Sequence, residues 1–219
     1  MRTAGVAPAA FMQQERLPAP GGRWVNSAET QAGYRAAMIA GQRIAIEDPR
    51  DPDVRGLLER HLAFALAQTP PEHSFALDVD GLLDPAITLF SLRQHGRLLG
   101  IGAIKRLSPR HAEIKSMHTA EAARGRGIGR AMLTHLLEVA RAHGFRTVSL
   151  ETGTTAAFAP ARALYHSAGF LSSDPFGGYQ ATKDNLFMTI ELDPAQAATC
   201  DMHPGNRPQH NRHHGCSTT

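Results

Sequence analysis

Residues 124–130 form a glycine-rich segment that carries three arginines and reads Arg-Gly-Arg-Gly-Ile-Gly-Arg. The preceding stretch from Ala112 to Thr119 has the pattern of a β-strand, and Ile128 opens a run of apolar residues at helical spacing. A loop between a strand and a helix leaves unpaired backbone N–H groups at the helix start, where the macrodipole also favours an anion. Glycines let that backbone approach a ligand closely and adopt positive φ angles at low cost. The segment therefore predicts a phosphate-binding loop.

Other glycine loops are the alternatives. A P-loop ends in Gly-Lys-Ser or Gly-Lys-Thr, and this segment contains no lysine. A dinucleotide fingerprint reads Gly-x-Gly-x-x-Gly with an acidic residue about 20 positions later. Here the motif is one residue shorter, although Glu151 lies at a suitable distance. The strand before the loop carries the polar residues Glu113, Lys115 and His118. They argue against a dinucleotide-binding fold, because the first strand of its parallel sheet should be almost wholly apolar. A helix start that uses glycine only to turn is the last alternative.

The spacing Arg-x-x-Gly-x-Gly, filled by Arg124, Gly127 and Gly129, resembles the pyrophosphate-binding signature of the GCN5-related N-acetyltransferase (GNAT) family. Residues 163–170 resemble the family's Leu-Tyr-x-x-x-Gly-Phe segment. The resemblance covers residues 42–193 and is closest to bacterial members of unassigned acceptor. It implies acetyl-coenzyme A as co-substrate. The residues implied to bind it are Met117, His118, Thr119, Arg124, Gly125, Arg126, Gly127, Ile128, Gly129, Arg130 and Tyr165.

Acetyl transfer from a thioester to an amine requires three groups. The ammonium must lose a proton, the developing oxyanion needs hydrogen-bond donors, and the leaving thiolate benefits from a proton donor. By the resemblance, Tyr165 is the general acid, and backbone N–H groups around Met117 to Thr119 hold the oxyanion. Packing of a helix against the sheet is the alternative role for Tyr165.

The general base has three candidates, which the sequence does not rank firmly. Glu113 leads, because it lies on the strand before the loop, where histone-type family members also carry a glutamate. Lys115 shares its strand face, so a structural Glu113–Lys115 surface pair is an equal alternative. Glu151, at the end of the next strand, is the second candidate. His118 is the third, since its ordinary pKa is close to neutral pH.

His61 lies among the apolar residues of the first long helix. A lone histidine at such a position is more typical of a core or rim residue than of a ligand. In the resembling family, however, the first helices wall the acceptor pocket, so an acceptor contact stays open for His61. Phe64 and Phe75 have the same two interpretations.

Periodicity and turn residues predict the elements that would position these groups. We expect strands at 43–47, 86–93, 97–106, 111–119, 146–152 and 186–192, and helices at 52–68, 128–143 and 159–168, with a short helical segment at 77–83. The order β-α-α-β-β-β-α-β-α-β is that of the GNAT fold. The fold class implied is α/β (α+β): a mixed, mostly antiparallel sheet of six to seven strands with helices on both faces.

Length and composition predict one domain with two extensions. The chain has 219 residues and 42% hydrophobic content, which is enough for one core. Residues 1–41 and 194–219 lack a sustained apolar period and are expected to be disordered, around an N-acetyltransferase domain at 42–193. Met38 is an alternative to Met1 as the native start. The histidines near the end do not fix a metal geometry.

Charge and cysteine content narrow the partners. The net charge is +3, but residues 42–193 carry 17 basic and 17 acidic side chains, so they offer little electrostatic footprint for nucleic acid. No apolar run approaches the roughly 20 residues that span a bilayer. Cys200 and Cys216 both lie in the tail, which leaves the domain without a cysteine metal site. We expect a cytoplasmic monomer or homodimer that acts on a small-molecule or peptide amine, with no metal, nucleic acid or membrane partner.

Two other functions stay open. One is a catalytically idle GNAT domain that binds acyl-coenzyme A as a regulator, which only turnover can separate from an enzyme. The other, disfavoured by the neutral domain, is a toxin that acetylates aminoacyl-tRNA. The acceptor cannot be named, because the variable segments around 61–83 and 172–184 build its pocket.

Overall fold

The computed structural model describes residues 41–193. The expected extensions, both cysteines and the histidine-containing tail lie outside the described residues. The described elements are β1 (Gln42–Ile46), α1 (Pro52–Gln68), β2 (Ile87–Gln94), β3 (Arg97–Arg106), β4 (His111–Thr119), α2 (Ile128–Ala142), β5 (Thr147–Gly153), α3 (Ala159–Ser167), β6 (Leu171–Ser173) and β7 (Asn185–Glu191). Each strand and long helix expected from the sequence is confirmed to within one residue at either end.

Two segments differ from the sequence prediction. The 77–83 segment contains only a single 3₁₀ turn, Gly81–Leu83. The Asp78 carboxylate accepts a hydrogen bond from the Gly81 N–H at 2.8 Å, and such local side-chain bonds compete with helix formation. The three-residue strand β6 was not predicted, because it is too short to show an alternating pattern.

The strands form one seven-stranded sheet in the order β1-β2-β3-β4-β5-β7-β6. Only the β4–β5 pair is parallel, and the other neighbours run antiparallel. The hairpin between β2 and β3 turns at His95 and Gly96, whose φ angles of 48° and 79° are those of a tight type I′ turn. The mixed, mostly antiparallel fold class is therefore confirmed.

Helices cover both faces of the sheet. On one face, α1 packs Val54, Leu57 and Leu58 against apolar residues of β2 and β3. On the other face, α2 and α3 pack against the larger core, which includes Leu136 of α2 and Val148 of β5. The buried residues of α1, Val54, Leu57, Leu58 and Ala65, lie on one helical face, and the helix begins at Pro52, whose fixed φ suits the first helical turn.

The two central strands separate halfway along their length. Parallel pairing between β4 and β5 runs from His111 and Thr147 to Ile114 and Leu150, whereas both strands continue further. A β-bulge interrupts the pairing of β4 with β3, and its residue Ser116 has a φ of +52°. A bulge bends its strand, so the far half of β4 turns away from β5 and an opening forms between them.

Candidate active site

The predicted loop has the backbone that its glycines suggested. Gly125 and Gly127 have φ angles of +73° and +78°, a region that glycine adopts without steric penalty, and Gly127 is the N-cap of α2. A Cβ placed on either glycine would meet no atom within 4 Å. Because the first N–H groups of α2 lack intrahelical partners, the loop presents donors to open space.

A cleft of about 660 Å³ runs from this loop through the opening between β4 and β5 to the segment at residues 73–76. It brings together almost all of the site residues predicted from the sequence. Those that line it are Glu113, Met117, His118, Thr119, Arg124, Gly125, Gly127, Ile128, Gly129, Arg130, Glu151 and Tyr165.

Arg126 is the exception among the predicted site residues. Its guanidinium donates a hydrogen bond to Gln94 Oε1 at 2.9 Å. It faces a separate cavity of about 350 Å³, which Arg60 and Arg97 also line. The side chain of Arg126 therefore does not reach the cleft, and only its backbone belongs to the loop.

The cleft fits a long, phosphate-bearing co-substrate. Beyond Ile114, the edge of β4 that faces β5 has no strand partner among residues 41–193, so its backbone groups remain available. Gly129 lies below this edge, where an added Cβ would meet Leu164 Cδ2 at 3.3 Å and Thr119 Oγ1 at 3.6 Å. The open glycine loop suits a diphosphate, and the free strand edge suits the amide-containing pantetheine arm.

Tyr165 reaches the cleft from α3. Its ring is 7% exposed and lies 6.0 Å from the ring of Phe170, centroid to centroid. Within the described residues, its hydroxyl has no hydrogen-bond partner. Burial, followed by the nearby Glu151 carboxylate, raises the pKa of Tyr165, so the phenol stays protonated at neutral pH. The side chain thus packs against the core and also presents a free O–H group to the cleft.

Glu113 belongs to a buried hydrogen-bonded cluster. Lys115 Nζ donates to Glu113 Oε1 at 2.9 Å, and the two side chains are 7% and 1% exposed. Tyr179 donates to the same carboxylate oxygen at 2.6 Å and accepts from Lys115 Nζ at 2.8 Å. The anticipated ion pair therefore exists, but in the interior rather than on the surface. Sequence reasoning missed Tyr179, which it had placed only within a variable acceptor segment.

Glu151 lies beside this cluster, on the same sheet face as Lys115. Within residues 41–193 its carboxyl group receives no hydrogen bond. Burial raises the pKa of Glu151 to about 7; Lys115 lowers it and Glu113 raises it to smaller extents. A carboxyl group with this pKa is half-ionised near neutral pH, which suits proton transfer.

His118 and His61 form a ring pair on the wall between α1 and β4. Their ring centroids lie 5.4 Å apart with the planes at 61°. Burial lowers the pKa of both to about 4; Arg124 and Arg60 add to the effect at His118, and His118 and Lys115 add to it at His61. Both imidazoles are therefore neutral and weakly basic at neutral pH.

An aromatic cover closes the far end of the cleft. Phe75 lies 4.6 Å from the Tyr179 ring, and Tyr179 stacks on Phe187 at 5.9 Å. His73 Nδ1 lies 2.7 Å from Asp184 Oδ2, which joins the segment after α1 to the loop before β7. These contacts hold the Tyr179 ring beside the Glu113–Lys115 pair, where Lys115 Nζ lies 5.3 Å from the ring centroid.

A family model described as the acetyltransferase (GNAT) family matches residues 54–170. The chain is 40% identical over 149 residues to the uncharacterized N-acetyltransferase YsnE of Bacillus subtilis (strain 168), which covers 68% of this chain and 99% of that protein. It is 39% identical over 149 residues to the uncharacterized N-acetyltransferase YedL of Escherichia coli (strain K12), and that alignment covers 68% of this chain and 94% of YedL.

A solved structure has the same architecture. The "putative acyl-CoA N-acyltransferase" from Klebsiella pneumoniae subsp. pneumoniae MGH 78578 superimposes with a TM-score of 0.57 at 26% identity, over 71% of this chain and 100% of that one. Among the described residues, no helix is long and apolar enough to cross a membrane. No three histidine, cysteine, aspartate or glutamate side chains between residues 41 and 193 are grouped to hold a metal ion.

Proposed function

The chain belongs to the GNAT family of acetyltransferases, and on that premise we propose that it moves an acetyl group from acetyl-coenzyme A directly to an amine of a small molecule or peptide. One observation carries this proposal. A single cleft contains an open glycine loop at a helix start, a free strand edge, a protonated Tyr165 and a Glu151 carboxyl group poised near neutral pH.

The loop and the strand edge would hold the co-substrate. Backbone N–H groups at Gly127 to Gly129 would bind the diphosphate, and the Arg124 and Arg130 side chains, which line the same end, would neutralise its charge. The backbone of Met117 to Thr119 would bind the pantetheine arm and donate to the carbonyl oxygen of the thioester as negative charge develops there. The bound thioester supplies the acetyl group.

We place Glu151 before Glu113 as the general base. Two donors, Lys115 Nζ and Tyr179 Oη, already engage the Glu113 carboxylate, so it is held inside a buried cluster rather than left free to receive a proton from an acceptor amine. No donor among residues 41–193 engages Glu151, and its raised pKa lets it accept a proton near neutral pH. His118 is less suited, because a pKa of about 4 makes it a poor proton acceptor.

Three proton transfers then balance the reaction, and the proton received by Glu151 finally passes to solvent. The acceptor ammonium transfers one proton to Glu151, and the resulting free amine attacks the thioester carbon. As the carbon–sulfur bond breaks, the Tyr165 hydroxyl donates its proton to the sulfur, which leaves as the thiol. The proton that the amide nitrogen sheds then returns the phenol to its neutral form through solvent.

A turnover screen tests this function. Purified protein with acetyl-coenzyme A is assayed for free thiol against simple amines, amino acids and short peptides. Amine-dependent thiol release is expected. Tight binding of acetyl-coenzyme A without turnover on any amine would instead indicate the catalytically idle regulatory domain.

A further inference from the structure

Lys115 has one more hydrogen-bond donor than its surroundings use. An ammonium group carries three N–H donors. Glu113 Oε1 and the Tyr179 hydroxyl accept two of them, at 2.9 and 2.8 Å. Within residues 41–193, the third proton has no hydrogen-bond acceptor. The side chain is only 7% exposed, yet it lines the cleft.

A buried ammonium with an unfilled donor favours an anionic ligand. Taking such a group out of water without a full set of partners is unfavourable, and a charge-assisted bond to a carboxylate would restore the missing contact. Glu151 acts on Lys115 only through longer-range electrostatics, because no hydrogen bond joins the two side chains. The third donor of Lys115 is therefore not filled by Glu151, and Lys115 lines the cleft through which a carboxylate ligand would enter.

The sheet places Lys115 and Glu151 next to each other. Ile114 and Leu150 are the last paired residues of β4 and β5, and the following residue of each strand faces the same side. A ligand that carries a carboxylate and an amine close together could contact both groups at once. Apolar rings of Phe64, Phe75 and Phe158 line the remaining wall at this end.

We propose that the acetyl acceptor carries its own carboxylate, as an apolar α-amino acid does, with Lys115 binding that carboxylate while Glu151 receives the proton of the neighbouring amine. The inference rests on the proposed acetyltransferase function. It identifies Lys115 as the residue that selects among amines. The Glu113–Tyr179 pair is then a positioning device, which holds the ammonium with its third proton toward the cleft.

Matched acceptors provide the test. The kcat/KM of the wild-type protein is measured with phenylalanine, phenylalanine amide and phenethylamine, and with leucine, leucine amide and isopentylamine. We expect each amino acid to exceed both of its carboxylate-free partners by about 100-fold or more, the order expected when one charge-assisted bond of about 3 kcal/mol is lost. The amides control for amine basicity. Their amines are less basic than those of the amino acids, so a larger fraction is unprotonated, and slower turnover of an amide cannot be explained by protonation of its amine.

A pair of variants assigns the preference to Lys115. The double substitution Glu113→Gln with Lys115→Met removes both charges together, so it leaves no unpaired buried ion, and the preference should fall to within a few-fold. Tyr179→Phe removes one of the two anchors of the ammonium but keeps the ammonium and its bond to Glu113, so it should weaken the preference by a few-fold at most and leave it well above that of the double variant. If the double variant does not fold, the comparison of acceptors on the wild-type protein still decides whether the acceptor carries a carboxylate.

The outcomes separate this inference from the proposed function. Equal or better turnover of the carboxylate-free amines would overturn the inference and leave the acetyltransferase function in place. An unchanged preference in the folded double variant would remove Lys115 from the role. Failure to acetylate any amine of either set would overturn the inference, and acetylation of another amine in the turnover screen would still leave the acetyltransferase function in place.

Discussion

Ile114 and Leu150 are the last paired residues of the two central strands, and each is followed by a charged residue that faces the cleft. Lys115 therefore follows on one side of the opening and Glu151 on the other. Since β4 and β5 diverge from this point, the unpaired backbone edge of β4 begins at Lys115, opposite Glu151. One feature of the sheet thus places the co-substrate channel and the polar groups beside each other.

Glu151→Gln should remove the rise of the reaction rate through neutral pH. The ionised carboxylate is the form that accepts a proton, and the pKa of Glu151 is about 7, so wild-type kcat/KM should increase as pH rises through 7. Glutamine cannot accept the proton, so the variant should be about 100-fold slower near pH 7 and should partly recover at high pH, where free amine accumulates. The measurement is a pH–rate profile.

Glu113→Gln and His118→Ala are the matched comparisons for that profile. Both residues line the cleft, but Lys115 and Tyr179 already engage Glu113, and the pKa of His118 is about 4. Neither substitution is therefore expected to remove the rise in rate through pH 7. If Glu113→Gln flattens the profile while Glu151→Gln keeps it, the base is Glu113, the first candidate from the sequence. If all three variants keep the wild-type profile, the acceptor arrives as the free amine.

The same pKa predicts a pH-dependent stability difference. The pKa of Glu151 rises from 4.5 to about 7 on folding, so the protonated carboxyl stabilises the folded state fully below pH 4.5. That contribution is lost as pH rises from 4.5 through 7, by of order 3 kcal/mol for a shift of this size. Glutamine does not titrate. Between pH 4.5 and 7, the free energy of unfolding of Glu151→Gln should therefore rise relative to that of the wild type. Urea titrations at several pH values measure this difference. If the difference between the two proteins does not change with pH, the assigned pKa shift is contradicted.

Gly127→Asp should abolish binding of acetyl-coenzyme A. An aspartate side chain would occupy the open space above the loop and would repel the diphosphate. Gly144→Asp is the control, because Gly144 also has a positive φ, of 75°, and open space around it, but lies beyond the end of α2. Both variants carry the same backbone strain, of about 1–2 kcal/mol. Calorimetry should show lost affinity only for Gly127→Asp, and equal affinities would exclude the loop as the diphosphate site.

The sequence was most informative where local pattern sets structure. Alternating and helical apolar spacing located each strand longer than three residues in the described part of the chain, because burial of one face imposes that spacing directly. Glycines at 125 and 127 indicated a backbone with positive φ, and the structure has it. The resemblance of residues 163–170 to a family segment predicted Tyr165 at the co-substrate site, and Tyr165 lines the cleft.

The parts that the sequence left open depend on contacts between distant segments. Tyr179 and Glu113 are 66 positions apart, and no local period links them. The burial that raises the pKa of Glu151 likewise arises from several elements at once. The ranking of the base candidates therefore required the three-dimensional arrangement.

Lys115→Met should destabilise the protein more than the double substitution Glu113→Gln with Lys115→Met, which removes both charges. The single substitution leaves the Glu113 carboxylate buried, 1% exposed, with Tyr179 as its only hydrogen-bond donor among the described residues. Breaking a buried ion pair from one side costs about 3–5 kcal/mol, whereas replacing both charges is often near neutral. Urea unfolding of Lys115→Met, Glu113→Gln and the double variant completes the cycle. Additive effects would mean that the two side chains do not interact.

Tyr165→Phe should slow the reaction without changing the fold or the binding of acetyl-coenzyme A. The hydroxyl that the substitution removes has no hydrogen-bond partner within residues 41–193, and phenylalanine keeps the ring beside Phe170. Its melting temperature should therefore match that of the wild type. If the phenol donates the proton to the leaving sulfur, kcat should fall by about 100-fold while the Kd of acetyl-coenzyme A stays within a few-fold.

Tyr179→Phe is the matched control, because it also removes one phenolic hydroxyl from this site. That hydroxyl is bonded to Glu113 and Lys115, so its loss should lower the free energy of unfolding by about 1–3 kcal/mol. The two substitutions are thus expected to differ in what they change. Tyr165→Phe should lower kcat and leave the melting temperature unchanged, whereas Tyr179→Phe should mainly lower the free energy of unfolding. Wild-type kcat in Tyr165→Phe would assign that residue to packing alone, and the thiolate would then leave without a proton from the protein.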